Sequence, residues 1–163
     1  GIRRGDVVGP RIFASGATIS VTGGHGDGTQ GYRDDIAHVL HSPAVCDGPA
    51  DCRRAVRDQV RRGADHIKLT ATGGVLSNTA AGLEQQFFPD ELAAIVESGH
   101  AMGRKVTAHA HGLSGVNAAL NAGVDSIEHG TFLDDESIRL FKKSGAYLVP
   151  TLLAGATVAA WAD

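Results

Sequence analysis

Four glycines recur at the same place in a repeating pattern, and this pattern constrains the fold more than any other feature of the sequence. Each follows a segment with helical periodicity and precedes a segment typical of a strand: Gly63, Gly103, Gly123 and Gly145. Glycine is favoured just after the end of a helix, where the backbone turns into the left-handed region. The pattern therefore predicts helices and strands in alternation, joined by short helix-to-strand turns.

The alternation predicts about five strands and at least four helices. We predict strands over residues 11–15, 65–71, 105–111, 124–128 and 146–150, and helices over 49–62, 90–102, 114–122 and 134–143. Ser114 is a possible N-cap of the third helix, and Asp134 or Asp135 caps the fourth. Such alternation gives a parallel sheet with right-handed crossovers, either in a barrel or in an open doubly wound sheet. Long loops after the strands favour a (β/α) barrel with its site at the carboxyl ends of the strands.

Composition excludes several classes of protein. The chain has 163 residues, 42% hydrophobic and 20% charged, which is typical of about one soluble globular domain. A net charge of −3 gives no sign of a nucleic-acid surface. The apolar run over residues 146–162 contains Pro150 and Gly155 and is shorter than the ~20 residues of a membrane span. We interpret it as a buried strand followed by the beginning of a helix, and we recognise no signal peptide at the start.

The two cysteines, Cys46 and Cys52, lie close together in a polar segment. Two cysteines are too few for a disulfide framework, and they do not form the paired CxxC motifs of a metal-binding site. We expect two free thiols in a reducing compartment, which predicts a cytoplasmic protein.

Two consecutive predicted strands end in histidine. The first alternates apolar residues with Thr107, His109 and His111, and the second delivers His129. Because the carboxyl ends of neighbouring parallel strands converge, imidazoles there are well placed to build a metal site. The preceding strand carries Lys68 between two apolar residues, and lysine is rarely buried without a partner. The alternatives are hydrogen-bonded core histidines and an exposed lysine on an edge strand.

A glycine-rich loop over residues 16–31, GATISVTGGHGDGTQG, carries His25 and Asp27 at its centre. Its spacing is not that of a GxGxxG motif that opens a helix, so we do not interpret it as a dinucleotide-binding loop. Loops of this length in compact domains are usually functional or mobile. His25 is thus either a site residue or a solvated loop histidine. We expect the four remaining histidines in loops or on helix surfaces: His38, His41, His66 and His100.

Several motifs, in order along the chain, resemble the amidohydrolase superfamily. They are TGGHGD in the first loop, IKLTATGGVLS, VTAHAHG, and AGVDSIEHGT followed by LDDESI. They look closest to the branch of Xaa-Pro dipeptidases, related metallo-carboxypeptidases and imidazolonepropionase-like proteins. The resemblance covers nearly the whole chain and implies a (β/α)8 TIM barrel of the metal-dependent hydrolase type, with one or two divalent metals, usually Zn2+.

The resemblance also implies roles for individual residues. Lys68 would be the lysine of the fourth barrel strand, carboxylated by CO2 so that its carbamate bridges two metals. His109 and His129 would be the metal ligands of the fifth and sixth strands. His111 would face the substrate, and His25 would contact the substrate carbonyl or carboxylate, which makes both of them catalytic candidates.

The sequence departs from the family pattern in two respects. The family has an HxH metal pair on the first strand, whereas the HxH of this chain, His109–His111, matches the fifth strand. The family also has an aspartate on the eighth strand, and we do not assign that role to Asp163. We therefore expect residues 1–163 to be about strands 3–7 of a single catalytic barrel domain, without its first strands and its last strand, and to be inactive alone.

These expectations lead to a metal-dependent hydrolase that cleaves an amide or peptide bond with metal-activated water. Its substrate would be a small molecule, most simply a dipeptide such as Xaa-Pro or an N-acyl amino acid. The alternatives are an imidazolonepropionase-like cyclic amide hydrolase and a catalytically incomplete metal-binding fragment. We further expect a homo-oligomer with no nucleic-acid or membrane partner.

Overall fold

A parallel sheet forms the centre of the fold. The computed structural model describes residues 1–75, 77 and 81–161, and within them the sheet has four strands. They are β1 (Ile67–Thr70), β2 (Val106–Ala110), β3 (Ser126–His129) and β4 (Tyr147–Val149). Each strand pairs in parallel with the next, in the order β1-β2-β3-β4. This arrangement confirms the prediction of a β/α fold with the topology of a partial barrel.

Helices precede, connect and follow the strands of this sheet. In the described part of the chain they are a short 3-10 helix (Ile2–Arg4) and the α-helices α1 (Asp34–Leu40), α2 (Pro49–Arg61), α3 (Pro89–Ala101), α4 (Leu113–Ala122), α5 (Asp135–Ser144) and α6 (Leu152–Trp161). The connections between successive strands are α3, α4 and α5. Gly123 and Gly145 follow α4 and α5 with φ of 92° and 72°, as the glycine pattern predicts. The side chain of Asp134 accepts a hydrogen bond from Ser137 N at 2.8 Å, which confirms Asp134 as the cap of α5.

The core lies between the helices and one face of the sheet. Ile67 and Leu69 of β1, Val106 and Ala108 of β2, and Ile127 of β3 are fully buried. They belong to one hydrophobic cluster with side chains of the surrounding helices, among them Val56, Leu92, Ile95 and Val116. Because side chains alternate along a strand, the residues between them point to the opposite face. That face carries Lys68 and His109, and it is where the polar site forms.

The strand predicted over residues 11–15 is wrong. Those residues have no regular secondary structure, and the chain pairs with β1 further along, at Ile19. The amide of Ile19 donates to Lys68 O at 2.8 Å, and Thr70 N donates to Ile19 O at 3.1 Å. Ile19 is fully buried, whereas Ile12 and Phe13 are 61% and 60% exposed. Burial of Ile19 therefore places the extended segment inside what we predicted as a loop.

Two further details of the prediction are corrected. Gly112 precedes the first residue of α4, so Ser114 lies within the first turn and is not the N-cap; its hydroxyl donates to Glu84 at 2.6 Å. The final strand is exposed rather than buried, since Tyr147 is 76% exposed and β4 has a partner on one side only among the described residues. The helix predicted after it is present as α6.

The prediction of free cysteines is also wrong. Cys46 and Cys52 form a disulfide with Cα atoms 5.0 Å apart, and both residues are buried. Cys52 lies in the first turn of α2, and Cys46 precedes the helix, with its N–H donating to Ser20 O at 2.9 Å. The disulfide removes the argument from free thiols for a reducing compartment.

None of the helices in the described ranges has the length and apolar character required to cross a membrane. Leu76 of the second motif and Asp163 lie outside the described residues.

Candidate metal centre

Three imidazoles meet at the carboxyl ends of β2 and β3. His109 lies in β2, His111 follows it, and His129 is the last residue of β3. One ligand nitrogen from each lies within 4.8 Å of the others. The rings of His111 and His129 stack with centroids 4.6 Å apart, and His109 meets both edge-on at 4.8 Å. This is the convergence of strand ends that the sequence predicts.

Burial keeps these imidazoles neutral. His109 and His111 are 6% and 8% exposed. Desolvation of the charged form lowers the pKa of His109 to about 3 and that of His111 to about 4. The pKa of His129 is also lowered, first by burial and then by the positive charge of Lys68. Neutral imidazole is the form that binds a metal, so the cluster is in its ligating state at neutral pH.

Each ring of the cluster has one nitrogen engaged in a hydrogen bond. His109 Nε2 lies 3.1 Å from the carbonyl oxygen of Gly73, which only accepts, so Nε2 carries the proton. His111 Nδ1 lies 2.7 Å from Thr131 Oγ1, and His129 Nδ1 lies 2.6 Å from Thr151 Oγ1. The other nitrogen of each ring is left for coordination, which is the usual arrangement of metal-binding histidines.

The glycine-rich loop brings a fourth imidazole to the cluster. The ring of His25 stacks on that of His109 with centroids 4.3 Å apart, while its backbone N–H donates to Gln86 Oε1 at 3.0 Å. Burial and the charge of Lys68 lower the pKa of His25. His25 Nδ1 is buried and has no hydrogen-bond partner among the described residues. A buried polar atom of this kind fits a site that receives a further group.

Lys68 lies beside the cluster rather than on an exposed edge. It is partly buried, and its ammonium group donates to the carboxylate of Glu128, the residue before His129. The segment at Ile19 pairs with the outer side of β1, so the alternative of an exposed edge lysine does not hold. An ammonium group cannot bind a cation, so Lys68 fits a metal site only in an uncharged or carboxylated form.

The five sequence-predicted site residues thus lie in one region: His25, His109, His111 and His129 with their rings in contact, and Lys68 next to His129. Sequence reasoning missed Glu128 as the partner of Lys68, and it missed the two threonines that bond the histidines. Thr131 lies two residues after His129, and Thr151 follows the last strand, so both lay within strand-end segments already predicted to reach the site. Asp125, which also precedes His129, lies elsewhere and accepts from His100 at 2.8 Å.

The four other histidines stay outside this cluster, as predicted. His38, His41 and His100 are exposed, and His66 is partly buried.

The donor set fits a divalent metal. Three neutral imidazole donors, gathered where burial favours their uncharged form, are the ligand type that zinc and related metals prefer. The ring of His25, whose Nδ1 has no hydrogen-bond partner among the described residues, stacks on His109 beside these donors.

A parallel β/α sheet with imidazoles gathered at the carboxyl ends of its strands defines a protein of the β/α-barrel class with its site at the usual end of the barrel. A family model described as the amidohydrolase family matches residues 2–160. The chain therefore belongs to the amidohydrolase family, which confirms the resemblance found in its motifs.

The proteins that the chain resembles include an ochratoxinase, a Xaa-Pro dipeptidase and a prolidase. The chain is 40% identical over 162 residues to an ochratoxinase of Aspergillus niger, covering 92% of this chain and 34% of the relative. Its structure is similar to that of a Xaa-Pro dipeptidase with bound methionine in the active site, with 46% identity, a TM-score of 0.89, and coverage of 97% of this chain and 39% of the other. A prolidase complexed with N-methylphosphonate-L-proline is 36% identical with a TM-score of 0.80, over 93% of this chain and 38% of the other. The chain thus spans between a third and two fifths of the length of these relatives.

Proposed function

We propose that the full-length protein is a metal-dependent hydrolase that cleaves an amide or peptide bond in a dipeptide or an N-acyl amino acid. The observation that carries the proposal is the cluster of three neutral imidazoles at His109, His111 and His129. The similarity to a Xaa-Pro dipeptidase and to a prolidase in complex with a proline derivative supports a small substrate with a free carboxylate.

His109 and His129 would hold the metal, most simply zinc, with Lys68 as a third protein ligand. When bound, such a metal polarises a carbonyl and lowers the pKa of a coordinated water. Lys68 joins the site only after carboxylation, in which the ammonium group loses two protons and its nitrogen bonds to the carbon of CO2. For this the ion pair between Lys68 and Glu128 must open.

His25 and His111 would contact the substrate. Both are held in the neutral state, in which an imidazole donates a hydrogen bond through one nitrogen without carrying a charge. A donor fixed beside the scissile carbonyl stabilises the negative charge that develops on its oxygen. His25 has the unpartnered nitrogen that such a contact would satisfy. The remaining barrel strands, and with them the ligands without counterparts in residues 1–163, would come from the rest of the protein.

The test combines metal content with turnover in the full-length protein. Elemental analysis would be carried out on the parent, on Lys68→Ala and His129→Ala, and on His38→Ala as a control at an exposed position. Each would also be assayed on Xaa-Pro dipeptides and N-acyl amino acids. We expect two zinc ions and hydrolysis in the parent, loss of metal and activity in the first two variants, and no change in the control.

Other outcomes would contradict the proposal in distinguishable ways. Metal binding without turnover of any amide would indicate a metal-binding module instead of a hydrolase. Hydrolysis restricted to cyclic amides would favour the imidazolonepropionase-like alternative. Turnover with no metal, or metal content unchanged by His129→Ala, would contradict the assignment of the site.

A further inference from the structure

Thr151 lies against the candidate ligand His129 although it belongs to a different strand-to-helix connection. It follows β4 and directly precedes α6, and its Oγ1 lies 2.6 Å from His129 Nδ1. We propose that Thr151 is a positioning residue, which fixes the ring and the tautomer of His129 so that Nε2 presents its lone pair to a metal. The inference rests on the proposed function in taking His129 as a ligand.

The backbone on both sides of this contact is strained. Among the non-glycine residues in the described ranges, only His129 and Thr151 have positive φ, at 74° and 47°. The left-handed region is unfavourable for residues with a Cβ, and most of all for a β-branched residue such as threonine. Strain of this kind persists where the surrounding structure requires it, and it is concentrated at functional sites. The side chains of these two strained residues are bonded to each other. We infer that both backbone conformations serve to bring the side chains into this hydrogen bond.

In the proposed arrangement the Thr151 hydroxyl, which can either donate or accept, takes the acceptor role. When the hydroxyl oxygen of Thr151 accepts the proton of Nδ1, the lone pair of His129 lies on Nε2, the other ring nitrogen. A hydroxyl anchor of this kind on one nitrogen orients the ring and keeps the second nitrogen ready for a metal. Without it, the ring is free to rotate and to carry its proton on either nitrogen.

A second threonine makes the same contact on the neighbouring imidazole, which supports the interpretation. Thr131 Oγ1 lies 2.7 Å from His111 Nδ1, so both histidines are held through the same atom. Their rings lie only 8° from parallel. Both rings are thus anchored through Nδ1, and they share a common plane orientation.

The test uses four variants of the full-length protein. Thr151→Val keeps the shape and removes the hydroxyl, while Thr151→Gly removes it and also accepts the left-handed backbone without strain. Thr151→Ser keeps the hydroxyl. Thr157→Val is the matched control, because Thr157 is also partly buried and its hydroxyl bonds a helix carbonyl, Leu153 O, at 2.8 Å.

Two readouts are measured on each variant. One is zinc affinity by competition with a chelator. The other is the tautomer of His129 in the metal-free protein, from the 15N chemical shifts of its ring by NMR. We expect Thr151→Val and Thr151→Gly to bind zinc about 10–100-fold more weakly and to lose the Nδ1–H tautomer. Thr151→Ser should restore both properties, and Thr157→Val should match the parent.

An unchanged tautomer of His129 in both Thr151→Val and Thr151→Gly would overturn the inference, as would an unchanged zinc affinity in both. The metal-free NMR measurement separates this inference from the proposed function. If the parent binds no zinc, the proposed function fails, while the tautomer still decides whether Thr151 positions His129. If Thr151→Val does not fold, Thr151→Gly decides the outcome.

Discussion

The imidazole rings of His25 and His109 lie face to face, with centroids 4.3 Å apart and planes 19° from parallel. One comes from the first loop and the other from β2, and they meet over the backbone of Gly74. A Cβ at Gly74 would lie 2.6 Å from His25 Cε1 and 3.0 Å from His109 Cε1. The absence of a side chain at this one position therefore permits the stack.

Gly74→Ala should disrupt the site without disrupting the fold. The added methyl group would force both rings to move, and small displacements of site residues cost much of their function. We expect zinc affinity and amide hydrolysis to fall by about tenfold or more, with an unchanged circular dichroism spectrum. Gly28→Ala is the matched control in the glycine-rich loop, because a Cβ there meets nothing within 4 Å. Equal effects of the two substitutions would contradict the prediction.

The metal-free protein should lose stability as the pH falls below about 6.5. The pKa of His109 is lowered to about 3 and that of His111 to about 4, so between these values and 6.5 the unfolded chain binds protons that the folded chain excludes. The stabilisation is fully present above the unfolded pKa and declines as the pH falls toward the folded values. We expect the free energy of unfolding in urea to drop by roughly 1–2 kcal/mol per histidine between pH 7.5 and pH 5.

A double variant provides the control for this pH dependence. Replacing His109 and His111 by glutamine removes both titrating groups, so its stability should depend less steeply on pH over the same range. Equal slopes in the parent and in the double variant would show that these two histidines do not carry the effect.

Reduction of the disulfide should destabilise the protein. The Cys46–Cys52 bond closes a short loop at the beginning of α2, and loops of this size lose about 2 kcal/mol of stabilisation when opened. A reductant should therefore lower the urea midpoint of the parent. The double variant Cys46→Ala, Cys52→Ala should start from a lower midpoint and should not respond to the reductant. A parent midpoint that is insensitive to reductant, with both thiols titrated as free, would contradict the prediction.

Two helical glycines should respond to alanine with opposite sign. A Cβ at Gly99 in α3 would lie 2.5 Å from Val106 Cγ2, so Gly99→Ala overpacks the core and should cost about 1–3 kcal/mol. Gly155 in α6 has nothing within 4 Å, and Gly155→Ala should stabilise by about 0.5–1 kcal/mol through helix propensity. Urea denaturation of the two variants checks both values. A stabilising Gly99→Ala would show that α3 does not pack on β2 as described.

The sequence predicted the elements whose signal is local. Period-two alternation placed Ile67 and Leu69 on the buried face and His109 on the other, and the glycines after α4 and α5 fixed their ends. The pairing at Ile19 was missed because two short apolar segments precede β1, one at residues 11–15 and one around Ile19. Their local sequence does not show which of the two is buried beside β1. The disulfide was missed because two cysteines six residues apart approach only where the chain turns between them, as it does here at the beginning of α2.

The candidate site was predictable to the same extent. Neighbouring parallel strands end at the same edge of a sheet, so the approach of His109, His111 and His129 followed from the predicted order of strands and helices. The ion pair between Lys68 and Glu128 did not follow, because it joins residues on strands that are not neighbours, with β2 between them.

The imidazole cluster takes its dimensions from the sheet. The ring of His129 at the end of β3 lies 4.8 Å and 4.6 Å, between centroids, from the rings of His109 and His111 at the end of β2, which matches the ~4.8 Å between adjacent strands. The main-chain hydrogen bonds between β2 and β3 thus set the distance between the two strand ends that carry the ligands. These bonds do not depend on which side chains occupy the ligand positions. A substitution at one of these positions would therefore change the chemistry of the site without changing the spacing of the two strands.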